Sequence, residues 1–156
     1  MSEHVYYREI EESDMEAIFD VRIATWHNPN GHQELTQFGI TPASVRERMQ
    51  TSLKGWLCDD GQKVIGFAMG DQQNGEMWVI AVLQEFENQG IGRELLTRVE
   101  NWLFSCGWNE IWLTTDPDED FRAVGFYRRL GWTDWKLENG DRFMRKRQPG
   151  IGSRSL

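Results

Sequence analysis

Val79-Ile80-Ala81-Val82, followed by Gly90-Ile91-Gly92 and Arg93-Glu94-Leu95-Leu96, is the stretch from which the fold of this chain can be read. The apolar, β-branched tetrad reads as the end of a strand. The two close glycines read as a tight turn, and the residues after them open an amphipathic helix. A helix start leaves its first N–H groups without intrahelical partners and carries the positive end of the helix dipole, so it can seat phosphate oxygens. Glycines have no Cβ, which admits a ligand close to the backbone and frees unusual φ values. The N–H groups of Asn88, Gln89, Gly90, Ile91, Gly92 and Arg93 are therefore candidates to face phosphate oxygens. The side chains of Gln89 or Arg93 could add a donor.

Before that stretch, Val5–Ile10 reads as a first strand. Ser13 and Glu16 fit a capping box for a helix with Met15, Ile18, Phe19, Ile23 and Trp26 on one side. That helix should stop at Asn28-Pro-Asn-Gly31. Thr41 and Pro42 open a second helix, with Val45, Met49 and Leu53 as its apolar face. Strands are expected at Trp56–Cys58 and Val64–Met69, around the Asp59-Asp60-Gly61 turn. Met77–Leu83 is apolar enough for a central strand buried on both faces.

After Gly90, a helix with Ile91, Leu95, Val99, Trp102 and Cys106 on one side should end at Gly107. Glu110–Thr115 reads as a strand and Asp118–Leu130 as a short helix. Trp132–Leu137 and Arg142–Arg147 form a last hairpin. The order is β-α-α-β-β-β-α-β-α-β-β, an α/β arrangement with a mixed, mostly antiparallel sheet flanked by helices. It is expected as one domain over residues 1–147, with a mobile tail over 148–156.

A dinucleotide-binding reading of the glycines is weaker. It needs a third small residue where Leu95 stands. The stretch Ala123-Val-Gly-Phe126-Tyr127-Arg-Arg-Leu-Gly131-Trp132 supplies a second signal. With Glu87-Asn-Gln-Gly90-Ile-Gly92 it resembles the GNAT family of N-acetyltransferases. That family carries an (Arg/Gln)-x-x-Gly-x-(Gly/Ala) loop and a later Ala-x-x-Phe-Tyr-x-x-x-Gly-Phe-like stretch. The resemblance covers about Lys63 to Lys146 and fades before that.

The resemblance implies acetyl-CoA as co-substrate and direct transfer of its acetyl group to a primary amine in a ternary complex. It implies that the Gly90 turn holds the pyrophosphate and that Ile80, Val82 and Leu83 pair with the pantetheine arm, where two strands splay. A backbone N–H near Val82 would face the acyl oxygen. Ala123, Phe126 and Asp120 would flank the arm, and Tyr127 would protonate the leaving thiolate. Glu76 is the first candidate for general base, Asp116 the second, and the base can also act through ordered water. Two positions depart from the family pattern. Glu87 stands where the family has Arg or Gln, and Asp120 where many members have Asn. They motivate a rival reading, a non-catalytic acyl-CoA-binding or interaction module on the same fold.

Trp26, Phe38, Trp78 and Trp112 could wall an aromatic pocket near Glu34, Glu76 and Asp116, which suits a cationic amine. A polyamine, an amino sugar, an amino acid, a peptide N-terminus and a lysine side chain all remain open. His27 and His32 read as loop histidines, because no third ligand has metal spacing.

Composition bounds these readings. A formal net charge of −8 argues against a nucleic-acid binder and fits a cationic partner. No apolar run approaches the roughly 20 residues of a membrane helix. The start Met1-Ser-Glu-His-Val-Tyr lacks a basic flank and an apolar core, so no secretory signal is expected. Cys58 and Cys106 form no paired motif and are expected as reduced thiols of a cytoplasmic protein. The resemblance also allows a homodimer.

Overall fold

The computed structural model describes residues 4–25, 40–115 and 122–149. Within them, β1 (Tyr6–Glu9), β2 (Leu53–Asp59), β3 (Val64–Asp71), β4 (Glu76–Val82), β5 (Glu110–Thr115), β6 (Thr133–Glu138) and β7 (Asp141–Arg147) form one sheet in the order β1-β2-β3-β4-β5-β7-β6. All neighbours are antiparallel except β4 and β5. The α-helices among the described residues are α1 (Met15–Thr25), α2 (Pro42–Met49), α3 (Ile91–Ser105) and α4 (Arg122–Arg129). Among the described residues the element order is the one expected from the sequence.

Two apolar layers sandwich the sheet. On one face α3 packs Leu95, Leu96, Val99 and Leu103 against Cys58, Ala68, Met77, Ile111 and Leu113, and Tyr127 and Trp132 join them. On the other face α1 and α2 bring Met15, Ile18, Phe19 and Val45 onto Leu57, Phe67, Met69 and Ala81. The alternation of side chains along each strand divides the residues between these layers. β3 runs between α1 and α3 and is almost wholly buried. The strand expected to be covered on both faces, β4, is only half-buried, because its β5 side opens.

Several boundaries differ from expectation. The first helix is entered through a 3-10 turn at Glu12–Asp14, not through a Ser13–Glu16 box. Asp14 takes both Arg8 guanidinium nitrogens at 2.8 Å and the Glu11 N–H at 2.7 Å, so the acid that fixes the entry is Asp14. Leu53 belongs to β2, which starts earlier than expected because it pairs with β3 along its whole length. Trp102 is half-buried and Cys106 exposed; the buried stripe of α3 runs through Leu96 and Leu103 instead. The last hairpin turns on Asn139 (φ 54°) and Gly140 (φ 83°), the paired positive φ values of a type I′ turn.

Candidate active site

After β4 the chain makes a 3-10 turn at Gln84–Phe86, then passes through Asn88 at φ 65° and Gly90 at φ 84°. Both angles are left-handed. Glycine adopts that region freely, and asparagine tolerates it through its short polar side chain. Gly90 caps α3, and a Cβ added there would meet nothing within 4 Å, so the turn faces open space. The first N–H that α3 uses is that of Glu94, donated to the Gly90 carbonyl at 3.0 Å. The N–H groups of Ile91, Gly92 and Arg93 are left at the helix end. Ile91 is anchored in the core, and Gln89 and Arg93 lie exposed at the entrance. A Cβ on Gly92 would sit 3.4 Å from Phe126 Cζ and 3.7 Å from Val82 Cγ2. Gly92, Val82 and Phe126 therefore converge, and Ala123 packs against the same apolar layer. Asp120 and Asp116 lie outside the described residues, as do Trp26, His27, His32, Glu34 and Phe38.

β4 and β5 share one bridge, Glu76 opposite Trp112, with the Trp112 N–H donated to the Gly75 carbonyl at 3.1 Å. Beyond it β4 stays on β3, β5 stays on β7, and the two part. The Leu83 N–H is donated to the Ile65 carbonyl of β3 at 2.9 Å. By alternation Ala81 also turns its N–H and C=O to β3, while Ile80 and Val82 turn theirs into the opening. Of the three strand positions expected to bind the arm, Ile80 and Val82 turn their backbone groups to the opening, and Leu83 commits its N–H to β3. The β3–β4 register steps from Met69–Val79 to Gly70–Met77, which leaves Trp78 as a bulge. Trp78 and Val79 consequently both pack on the α1 side.

Tyr127 is 6% exposed, with ring centroids 5.4 Å from Phe126 and 6.1 Å from Trp132. Burial pushes its phenol well above the usual range, and the charge of Arg22 opposes that in part. Burial in turn holds the Arg22 guanidinium down to about 10. Arg22 belongs to α1 and Tyr127 to α4, on opposite faces of the sheet. The Arg22 charge nevertheless reaches the phenol. Glu76, at the closed end of that opening, has its carboxyl raised by burial and by Asp71, and lowered by the Asn74 hydrogen bond and by Arg48. Trp112 beside it donates its indole N–H to the Asn74 carbonyl at 2.9 Å and stacks on Phe143 at 5.8 Å. A separate depression of about 330 Å³, lined by Glu9, Ser52, Lys54, Gln72 and Trp102 among others, shares no residue with this site.

A strand opening at one bridge toward a glycine-capped helix, with a buried tyrosine at its side, fits one family model. It is the acetyltransferase (GNAT) family model, which matches residues 15–132. The chain belongs to the GNAT acetyltransferase family. The GNAT fold extends to solved structures of low sequence identity. The PaiA N-acetyltransferase of Thermoplasma acidophilum, in complex with coenzyme A, matches with a TM-score of 0.81 at 15% identity, over 93% of this chain and 99% of that one. The ribosomal-protein-S18-alanine N-acetyltransferase of Escherichia coli matches with a TM-score of 0.72 at 17% identity, over 92% and 94%. A mycothiol acetyltransferase of Pseudarthrobacter chlorophenolicus is 30% identical over 115 residues, 65% of this chain and 35% of that protein. This GNAT chain thus spans about a third of that relative's length.

Reading the sequence missed Arg48, Arg22 and the Trp78 bulge. A basic residue on a short helix looks like a solvated charge, and a strand register leaves no mark on composition. Among the described residues no group of three or more His, Cys, Asp and Glu side chains could hold a metal ion. No described helix is long and apolar enough to cross a membrane.

Proposed function

We propose that this protein is an N-acetyltransferase that moves the acetyl group of acetyl-CoA to a primary amine of a small molecule or peptide, directly and in a ternary complex. One observation carries the reading. The β4–β5 opening joins the N–H groups at the start of α3 to Glu76 at its closed end, with Tyr127 at its side. The coenzyme A complex of the PaiA neighbour supports it.

Acetyl-CoA supplies an acyl group already activated as a thioester. The N–H groups near Gly90, Ile91, Gly92 and Arg93 hold the pyrophosphate, and Gln89 and Arg93 add side-chain donors from solvent. Val82 and Ile80 pair with the amide arm, and Ala123 and Phe126 cover it. A strand rises about 3.3 Å per residue, and the β3 partners of Val82 and Glu76, Gly66 and Asp71, are five apart, so Val82 lies about 17 Å from Glu76 and is too far to attend the same acyl group. Ile80, paired with Ala68, is about 10 Å from Glu76 on the same measure, just beyond the bulge. Its N–H is the donor we assign to the acyl oxygen as that oxygen gains charge.

An alkyl ammonium titrates near roughly 10 and must lose a proton to attack. Glu76 takes that proton, through ordered water across the remaining distance. Its raised carboxyl is a better match to the task than an ordinary glutamate. Tyr127 stays protonated at any working pH and gives its proton to the departing sulfur. Trp78 and Trp112, on either side of Glu76, offer aromatic surface to the amine.

The test is an amine panel of spermidine, glucosamine, lysine, an alanyl peptide and a lysyl peptide, followed by release of the CoA thiol. Turnover of at least one amine is expected, slowed about 10-fold or more in Glu76→Gln and in Tyr127→Phe. Tight acetyl-CoA binding with no turnover of any amine would favour the non-catalytic module that Glu87 suggests.

A further inference from the structure

We propose that Arg48 is a positioning residue of the transfer site, holding Trp78 at the β4 bulge and Asp71 opposite Glu76. The inference rests on the reading of Glu76 as the base.

Arg48 lies in the last turn of α2, where a cation suits the helix dipole. A surface arginine there would ordinarily contribute little. Its contacts are of another kind. Nη2 donates to Asp71 Oδ2 at 2.9 Å, and the Asp71 side chain is only 7% exposed. The same guanidinium carbon lies 4.5 Å from the centre of the Trp78 ring. A planar guanidinium can stack on an indole and donate in its own plane at once, which an ammonium cannot.

Asp71 ends β3 and stands directly opposite Glu76; its other oxygen takes the Gln73 N–H at 2.9 Å. Trp78 is two residues beyond Glu76 and packs on the same side of the sheet. One cation therefore grips both neighbours of Glu76, the one across the ladder and the one along the strand. The bulge matters here. Trp78 has no partner on β3, so the ladder alone does not fix its indole. Arg48 does.

The charges follow the same geometry. Asp71 faces Glu76 from β3 and Arg48 from α2; from β5 the neighbour is Trp112, which does not titrate. The Asn74 side chain adds a hydrogen bond. The Asp71 charge opposes ionisation of Glu76, and the Arg48 charge offsets this in part. Without that cation Glu76 holds its proton to higher pH.

The experiment follows the Glu76 carboxyl directly, by NMR of protein labelled with ¹³C at the glutamate carboxyl, assigned with Glu76→Gln. Wild type, Arg48→Met and Arg48→Lys are titrated, with circular dichroism to confirm that each is folded. In Arg48→Met the Glu76 midpoint should rise by about half a pH unit or more, and in Arg48→Lys it should stay near wild type. On the fastest panel amine, Arg48→Met should lose about 10-fold or more in kcat and show an acid limb moved to higher pH. Arg48→Lys should restore the limb but not the full rate, because an ammonium cannot lie flat on the indole. Affinity for acetyl-CoA should stay within about threefold throughout, since the α3 entrance is untouched. A wild-type midpoint and rate in Arg48→Met would overturn the proposal while leaving Glu76 as base if Glu76→Gln is slow. Full activity in Glu76→Gln would remove the base reading and the role of Arg48 with it.

Discussion

At the scale of the residue, the site sets function against stability. Glu76 has an ordinary reference value of 4.5, and the fold raises it. A raised carboxyl favours the folded state while it is protonated. That advantage is lost as pH climbs from the unfolded value through the folded one. Near neutrality the ionised Glu76 is therefore a cost that glutamine would not carry. Glu76→Gln should unfold at a higher temperature than wild type at about pH 8, and the two should converge below about pH 4. Differential scanning calorimetry at the two pH values decides it. Tyr127→Phe should lower kcat by about 100-fold and leave the KM for acetyl-CoA within a few-fold, because the phenol acts on the leaving group alone. Steady-state kinetics on the fastest amine would show this split. Tyr127 was legible in the sequence because it stands inside a dense motif, Phe126-Tyr127 before Gly131-Trp132. Arg48 was not, since its meaning depends on Asp71 and Trp78, which reach it only through the fold.

At the scale of the element, the α3 entrance and the β3–α3 contact each rest on a glycine. Gly90 sits at φ 84° with open space around its missing Cβ. Gly90→Ala should cost about 1–2 kcal/mol of stability from backbone strain alone, read by urea unfolding. Gly70 has an ordinary φ, but its Cβ would come within 2.7 Å of Val99 Cγ1 and 3.3 Å of Leu103 Cδ1, both on α3. Gly70→Ala should cost about 1–3 kcal/mol by pushing α3 off the sheet. The helices and strands were legible from periodicity, and so was the turn at Gly90. The entry to α1 was misassigned because Ser13 and Glu16 have the spacing of a capping box, and nothing in the sequence singles out Asp14 among the acids around Ser13. Only Arg8, arriving from β1, selects Asp14. The bulge and the single β4–β5 bridge, which together shape the opening, are matters of register and left no trace in the composition.

At the scale of the whole molecule, the sheet is two antiparallel halves joined at one parallel pair, and the site lies where they diverge. A clamp on the α3 face holds the halves together. Glu100 of α3 accepts the Trp132 indole N–H at 2.8 Å and the Lys146 ammonium at 2.8 Å, and Lys146 also donates to the Leu130 carbonyl at 2.8 Å. Both charges are largely buried, with side-chain exposures of 17% and 7%. Lys146→Met would strand a buried carboxylate and should cost about 3 kcal/mol or more, part of which Glu100→Gln in the same chain should recover. The gross architecture was readable because two motifs, in order and with a strand between them, fixed which strands flank the opening. The acceptor side was not, since its expected walls at Trp26, Glu34, Phe38 and Asp116 lie outside the described residues. The central claim is that this opening and the α3 entrance form an acetyl-CoA site despite Glu87. Calorimetric titration of CoA-free protein with acetyl-CoA tests it most directly. Saturable binding at micromolar ligand, one molecule per chain, is the predicted result; no heat of binding up to millimolar acetyl-CoA would contradict it.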